Sequence, residues 1–339
     1  MKILDRPGAT VPVADRLSLE TIPHVAAGAS FAAAVDNGLR AKPKTLPCRF
    51  FYDERGSLLF EQITRLDEYY PTRVEREILE RNAGQIAQAI GPEPELIELG
   101  SGSAAKTRLL IRALIAEHGS LLFRPIDIAQ GMLEASSRAL LADHPELVIR
   151  ALAAEYEDGL RSLARSHSPG ARLIAWLGSS IGNLTREAAA DFLGRIRSIL
   201  CERDRLLIGF DRRKDPRTLE RAYDDSQGIT AAFNLNLLER ANRELRADFD
   251  LAQFEHRVHW RPEIGRIEMH LVSRRDQRVW IAELDASFAF ERGETIHTEN
   301  SYKYTPEEIA ELAEQAGLRV EQQWTDPAGQ FELSLLSNV

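Results

Sequence analysis

Between residues 95 and 211, short apolar runs alternate with amphipathic stretches. Apolar runs at 95–99, 121–126, 148–153, 172–177 and 206–210 read as buried strands. Helical periodicity at about 104–118, closed by Gly119, and at 130–141 and 186–200 fills intervals between them. Strand–helix alternation of this length predicts a parallel sheet with helices on both faces. After Asp211 the rhythm breaks. Two helical stretches, 216–226 and 230–246, precede alternating strand patterns at 254–260 and 267–271. A longer, less regular run covers 279–290, and a further extended run covers 294–302. A helix at 306–316, ended by Gly317, restores the earlier rhythm. Strands at 318–324 and 331–336 follow, joined by a five-residue loop that suits an antiparallel pair. The count is a seven-stranded sheet with an antiparallel hairpin at one edge, interrupted by an insertion at about 212–302.

The first 50 residues are weakly periodic, with one helix expected at 31–39. Residues 51–57 read as a turn-like loop, 58–66 as a short amphipathic piece and 67–71 as an aromatic turn. Thr72 with Glu75 three residues on has the form of a capping box. It would open a helix running toward Gly91-Pro92. These segments divide the chain into a sheet domain (74–211 and 303–339) and a second lobe (1–73 and 212–302).

Composition narrows the class. In 339 residues, 44% are hydrophobic, which supports a folded core. A formal charge of −9 argues against a nucleic-acid or anionic-membrane partner. Cys48 and Cys201 make no disulfide framework and match no zinc spacing. His256 and His259, three apart on a strand, face opposite ways, so no metal pair is expected. The first seven residues lack an apolar signal core, and no run approaches membrane-spanning length. The expectation is a soluble cytoplasmic monomer.

Candidate chemistry gathers at strand ends, where open α/β sheets bind ligands. Leu96-Ile97-Glu98-Leu99-Gly100-Ser101-Gly102-Ser103-Ala104-Ala105-Lys106 reads as strand, glycine turn and helix start. Gly100 and Gly102 allow a sharp turn and a close backbone approach to a ligand. Asp127 ends the second strand, as a ribose-binding carboxylate or a helix N-cap. Glu155 follows the third, as a ligand group or a solvated loop carboxylate. Asn183 lies after the fourth. Lys106, in a first helical turn where a cation is unfavourable, suits an anionic ligand or is a surface lysine. There is no P-loop, and the third glycine of a dinucleotide fingerprint falls at Ala105. A ligand without pyrophosphate fits better.

The glycine turn, Asp127 and the strand count resemble class I S-adenosylmethionine-dependent methyltransferases. More specifically, the chain is similar to the histidine-specific Nα-methyltransferases of the ergothioneine pathway, from about Leu46 to its end. The resemblance rests on residues 51–64 (FYDERGSLLFEQIT), 68–73 (EYYPTR), 177–185 (LGSSIGNLT), 222–225 (AYDD) and 298–303 (TENSYK). It implies an α/β, Rossmann-like sheet with a mixed α+β substrate-binding lobe. Gly100, Gly102, Lys106, Asp127 and the pair Glu155-Tyr156 would hold S-adenosylmethionine. Tyr69, Asn183 and Tyr223 would bind the carboxylate of L-histidine, and Tyr52 would lie near its α-amine. Glu299 and Ser301 would bind the imidazole, with Met269 packing nearby. Tyr52 and Asn183 would be the catalytic pair. The implied activity is transfer of up to three methyl groups to the α-amine.

The residues support this in part. Thr295, His297, Glu299 and Ser301 are two apart, which on a regular strand puts them on one polar face. That face also suits a solvated sheet edge. The tyrosines and Met269 equally suit core packing. A related enzyme acting on tryptophan, or a non-catalytic S-adenosylmethionine sensor, are the competing readings.

Overall fold

The computed structural model describes residues 13–22, 30–166, 168 and 170–339; the first seven residues, read above as lacking a signal core, lie outside them. The described chain opens with α1 (Val13–Arg16), β1 (Leu17–Thr21), α2 (Phe31–Arg40), β2 (Lys44–Thr45), α3 (Glu54–Ile63) and α4 (Tyr70–Gln88). The alternating region follows: β3 (Glu95–Leu99), α5 (Thr107–His118), β4 (Leu121–Asp127), α6 (Gln130–Asp143), β5 (Leu147–Ala153), α7 (Tyr156–Ala164), β6 (Arg172–Trp176), α8 (Arg186–Ile199) and β7 (Arg205–Asp211). The insertion holds α9 (Pro216–Tyr223), α10 (Ile229–Leu245), β8 (Phe254–Arg261), β9 (Arg266–Ser273), β10 (Gln277–Ile281), β11 (Ala286–Phe290) and β12 (Thr295–Tyr302). It is followed by α11 (Pro306–Gln315), β13 (Leu318–Thr325) and β14 (Phe331–Asn338).

Among the described residues the central sheet has the order β1-β5-β4-β3-β6-β7-β14-β13. β14 runs antiparallel to β7 and pairs with β13, which is the expected edge hairpin. The α/β class and the mostly parallel sheet are as expected. β3 and β6 are buried along their whole length, as strands covered on both faces must be. The strand order reverses at β3, whose neighbours are β4 and β6, so a crevice opens at the carboxyl ends of these strands.

The sheet has one strand more than the expected seven. β1, from the segment assigned to the second lobe, pairs in parallel with β5. Its five residues, Leu17-Ser18-Leu19-Glu20-Thr21, alternate but are too few to stand out in a weakly periodic segment. α7 was also missed, because Gly159 and Asp158 interrupt its apolar pattern. α3 begins at Glu54, inside the expected turn, because Asp53 caps it by accepting from the Gly56 N–H at 2.7 Å. The irregular run 279–290 resolves into the hairpin β10–β11.

The insertion packs α9 and α10 against a sheet of order β2-β12-β9-β8. Its two ends are joined. The Tyr304 N–H donates to the Asp211 carbonyl at 2.9 Å, and the Arg213 N–H to the Tyr304 carbonyl at 3.0 Å. Entry and exit of the insertion thus lie side by side at the carboxyl end of β7. No helix among the described residues is long and apolar enough to cross a membrane.

Candidate active site

A cavity of 710 Å³ lies over the crevice at the carboxyl ends of β3, β4 and β6. Its floor is the turn after β3. Gly100 has φ +75°, and a Cβ there would lie 2.4 Å from the Tyr156 hydroxyl oxygen. Only glycine fits that backbone beneath that ring. Tyr156 is wedged edge-on against Trp176, with ring centroids 6.0 Å apart. α5 starts at Thr107, so Lys106 stands at its N-cap and outside the first helical turn. Asp127 accepts from the Gly102 N–H and the Ala129 N–H, each at 2.8 Å, which ties the ends of β3 and β4 together. Burial raises its pKa above the ordinary range. Glu155 is the N-cap residue of α7 and lies 3.8 Å from Arg49.

Two carboxylates that sequence reasoning missed stand in this half. Glu98 lines the cavity and accepts from the Thr107 hydroxyl. Its second carboxylate oxygen is buried without a hydrogen-bond partner among the described residues, and desolvation pushes its pKa to about 8. A glutamate set between Ile97 and Leu99 near the end of a fully buried strand was the available signal. Glu75 is fully buried, yet it forms no capping box. α4 begins at Tyr70, two residues before Thr72, so Glu75 sits deeper in the helix and points inward. Its carboxylate pairs with Lys106 and accepts from the Gly178 N–H at 2.8 Å. It therefore joins the β3 turn to the loop after β6.

That second loop carries Asn183. It lies close against β12: a Cβ on Gly182 would sit 2.8 Å from the Tyr302 carbonyl oxygen. With the Asn183 amide assigned in the orientation that its neighbours satisfy, its nitrogen donates to the Asn300 carbonyl at 3.0 Å and to Glu299 Oε1 at 3.3 Å. Its own oxygen remains as an acceptor.

β12 is not a regular strand, and this corrects the expected polar face. His297 stands opposite His270, but Glu299 stands opposite Met269, with Thr298 as the extra residue of a bulge. The bulge reverses the alternation. Glu299 and Ser301 share the face of Met269 and Ile267. Thr295 and His297 lie on the other face, where His297 stacks on His270 at 4.9 Å.

Behind Asn183 the polar groups are buried and connected. The Tyr223 hydroxyl and Ser301 Oγ are 2.7 Å apart. Lys303 Nζ donates to both, at 2.9 and 2.8 Å, and pairs with Asp211 at 2.7 Å. Asp211 also takes the Tyr70 hydroxyl and Lys214, and these two lysines hold its pKa below the ordinary range despite burial. Burial pushes Glu299 up to about 7, opposed by the Lys303 charge. Tyr52 and Tyr69 are pushed well above the ordinary tyrosine range, chiefly by burial.

The structure thus brings Gly100, Gly102, Lys106, Asp127, Glu155, Tyr156, Tyr52, Tyr69 and Asn183 to the cavity wall. Tyr223, Met269, Glu299 and Ser301 lie one layer behind. Asn183 connects to Glu299, and the Tyr69 ring stands 6.2 Å edge-on from that of Tyr223. Met269 is buried in the core of the insertion. His256 is held by the Tyr223 carbonyl at 2.8 Å and by Asn234. Among the described residues no group of three His, Cys, Asp or Glu side chains is placed to hold a metal.

Comparison with known proteins places this site in context. A family model described as histidine-specific methyltransferase, SAM-dependent, matches residues 31–338. The histidine N-alpha-methyltransferase of Mycolicibacterium smegmatis is 48% identical over 299 residues, covering 88% of this chain and 92% of that protein. Ergothioneine biosynthesis protein 1 of Neurospora crassa is 35% identical over 288 residues, 84% of this chain but 32% of its own longer length. A 4-dimethylallyltryptophan N-methyltransferase of Epichloe festucae var. lolii is 28% identical over 319 residues, covering 88% of this chain and 92% of that protein.

Proposed function

The chain belongs to the histidine-specific, S-adenosylmethionine-dependent methyltransferases, and from that membership we propose that it methylates the α-amine of L-histidine for ergothioneine biosynthesis. The observation that carries the reading is the half-buried acceptor Glu299 on the same face as the Ser301 hydroxyl, on one bulged strand directly behind Asn183. A carboxylate takes an imidazole N–H and a hydroxyl meets the other ring nitrogen. An indole offers one N–H and no acceptor, so it would leave part of this polar pair unmatched. That observation disfavours tryptophan.

The residues at the cavity floor fit the methyl donor. Gly100 leaves a cradle that a side chain would fill. Glu98, with an unpartnered oxygen, and Lys106 would meet the ammonium and the carboxylate at the amino-acid end of S-adenosylmethionine, the donor's own ammonium favouring ionised Glu98. Asp127 retains acceptor capacity for ribose hydroxyls, and Glu155-Tyr156 bounds the adenine side. When bound, the donor supplies an electrophilic methyl group on a sulfonium.

The protein's own work is on the amine. Attack needs a lone pair, so the α-ammonium must first lose its proton. Tyr52 remains a neutral phenol, since burial and Glu299 disfavour its anion. It therefore positions the amine by hydrogen bonding and does not act as a strong base. Asn183 presents its amide oxygen, which supports a place at the α-amine, while Tyr69 and Tyr223 stand at the carboxylate end. Holding amine and methyl in line supplies much of the acceleration. The surrounding tyrosine faces tolerate the positive charge that builds with each transfer. Three transfers give the trimethylated betaine. The same reading takes the enzyme as a cytoplasmic monomer.

Incubation of the purified protein with S-adenosylmethionine and a panel of amino acids tests this. Mass spectrometry should show histidine gaining one, two and three methyl groups. Consumption of another amino acid with histidine untouched would sink the assignment, and donor binding without turnover of any amine would favour the sensor.

A further inference from the structure

Lys303 is fully buried where the insertion rejoins the sheet. An ammonium has three N–H groups and no lone pair. All three are used here: on Asp211 Oδ2 at 2.7 Å, Ser301 Oγ at 2.8 Å and the Tyr223 hydroxyl at 2.9 Å. Both hydroxyls are thereby committed as acceptors toward Lys303. The 2.7 Å contact between them uses one of their two protons. One O–H of the pair is left outside these contacts and can be offered to a ligand. Without the Lys303 ammonium, Asp211 would keep only Lys214 and the Tyr70 hydroxyl as partners, and its carboxylate would draw these protons away from a ligand.

We propose that Lys303, clamped on Asp211, is the positioning residue that orients the Tyr223 and Ser301 hydroxyls toward the substrate. The proposal rests on the histidine reading above and deepens it. Glu299 is faced by Cys48 and Tyr52 from the segment before α3, by Tyr69 before α4, by Tyr223 of α9, by Asn183, and by Lys303. Lys303 is the one cation in that set. Lys303 itself is faced by Asp211 of β7 and Tyr223 of α9, and Asp211 in turn by Tyr70 of α4 and Lys214 after β7. The methyl donor's proposed seat, at Gly100, Lys106 and Asp127, belongs to a different set of contacts.

The test is Lys303→Met, read by histidine kinetics across pH, donor binding by calorimetry and thermal melting. The KM for histidine should rise on the order of tenfold or more, while donor affinity holds. The acid limb of kcat/KM should move to higher pH by about one unit, because removal of a nearby cation raises a carboxylate pKa. The imidazole of free histidine titrates identically for both enzymes, so the difference belongs to the protein. Lys303→Arg, which keeps the charge but not the three-way geometry, should restore the limb and leave the KM raised. If Lys303→Met does not fold, Lys303→Gln carries the same two readouts, since its shorter side chain removes the charge and cannot reach Asp211, Ser301 and Tyr223 together. A folded variant with unchanged KM and an unmoved acid limb overturns the proposal. Wild-type protein that leaves histidine untouched overturns the substrate reading instead, so the two failures are distinguishable.

Discussion

The two halves of the cavity are made of different material. The half assigned to the methyl donor is largely backbone: a turn with positive φ at Gly100, Gly102 and Ala104, and N–H groups that Asp127 braces. Its residues come from three consecutive strand ends. The half assigned to the amino acid is largely side chain. Tyr52, Tyr69, Asn183, Tyr223 and Glu299 arrive from five separate segments, and a bulge decides which way Glu299 faces. The first half uses a property of any open α/β sheet, the crevice where strand order reverses. The second depends on this chain's own tertiary assembly. The difference teaches where substrate choice resides: a backbone cradle tolerates many partners, whereas buried side-chain acceptors reject a ligand that cannot pair with them.

The contrast can be broken from either side. Gly100→Ala is expected to have the largest effect. It forces a side chain into left-handed backbone and against the Tyr156 hydroxyl. Donor affinity should fall on the order of 100-fold, about 2.7 kcal/mol, by calorimetry. If Gly100→Ala binds the donor normally, the cradle is not where the donor sits. Glu299→Ala attacks the other half. The KM for histidine should rise on the order of 10- to 100-fold, with donor affinity unchanged. An equal loss of both affinities would show that the halves are not separable.

This division also explains what could be read from the sequence. Gly100, Asp127, Lys106 and the sheet around them follow from local patterns: apolar runs, a glycine turn, a carboxylate at a strand end. The edge strand β1 did not show because five residues are too short a run to be read as a strand before they pair with β5. Glu299 and Ser301 came from family resemblance. The spacing argument for them assumed an unbroken strand, and Thr298 breaks it. Asp211 ends a strand as Asp127 does and Lys303 closes the 298–303 motif, but nothing local shows their pairing, which is created where the insertion leaves the sheet and returns. Glu75 was misread, because a threonine three residues ahead has the same form whether or not the helix begins there.

Glu75 is a side chain that connects the halves, so it sharpens the comparison at smaller cost. Glu75→Gln keeps the shape and an acceptor for the Gly178 N–H but removes the charge facing Lys106. Lys106 would be freed toward the donor's carboxylate, while the loop that carries Asn183 would loosen. Donor affinity should change less than about threefold and kcat should fall on the order of tenfold, a split that kinetics and calorimetry read together. Equal effects on both would make Glu75 a donor-binding residue only.

The smallest expected effect is at Thr72, and it discriminates between two accounts of the same four residues. If Thr72 and Glu75 formed a capping box, Thr72→Ala would remove a cap and cost about 1 kcal/mol of stability. α4 instead begins at Tyr70, with Tyr69 at its N-cap and Pro71 in its first turn. A reciprocal capping box does form at Thr305 and Glu308, where α11 starts immediately after the threonine. Position relative to the helix start therefore separates the two, not residue type. Thr72→Ala should lower stability by less than about 0.5 kcal/mol, within the range of ordinary surface changes. Thr305→Ala should cost about 1 kcal/mol, as loss of a true cap does. Parallel denaturant melts of the two variants measure the difference. Equal losses would restore Thr72 as a cap, and Glu75 would then belong to the end of a helix and not to the bridge between the two halves of the site.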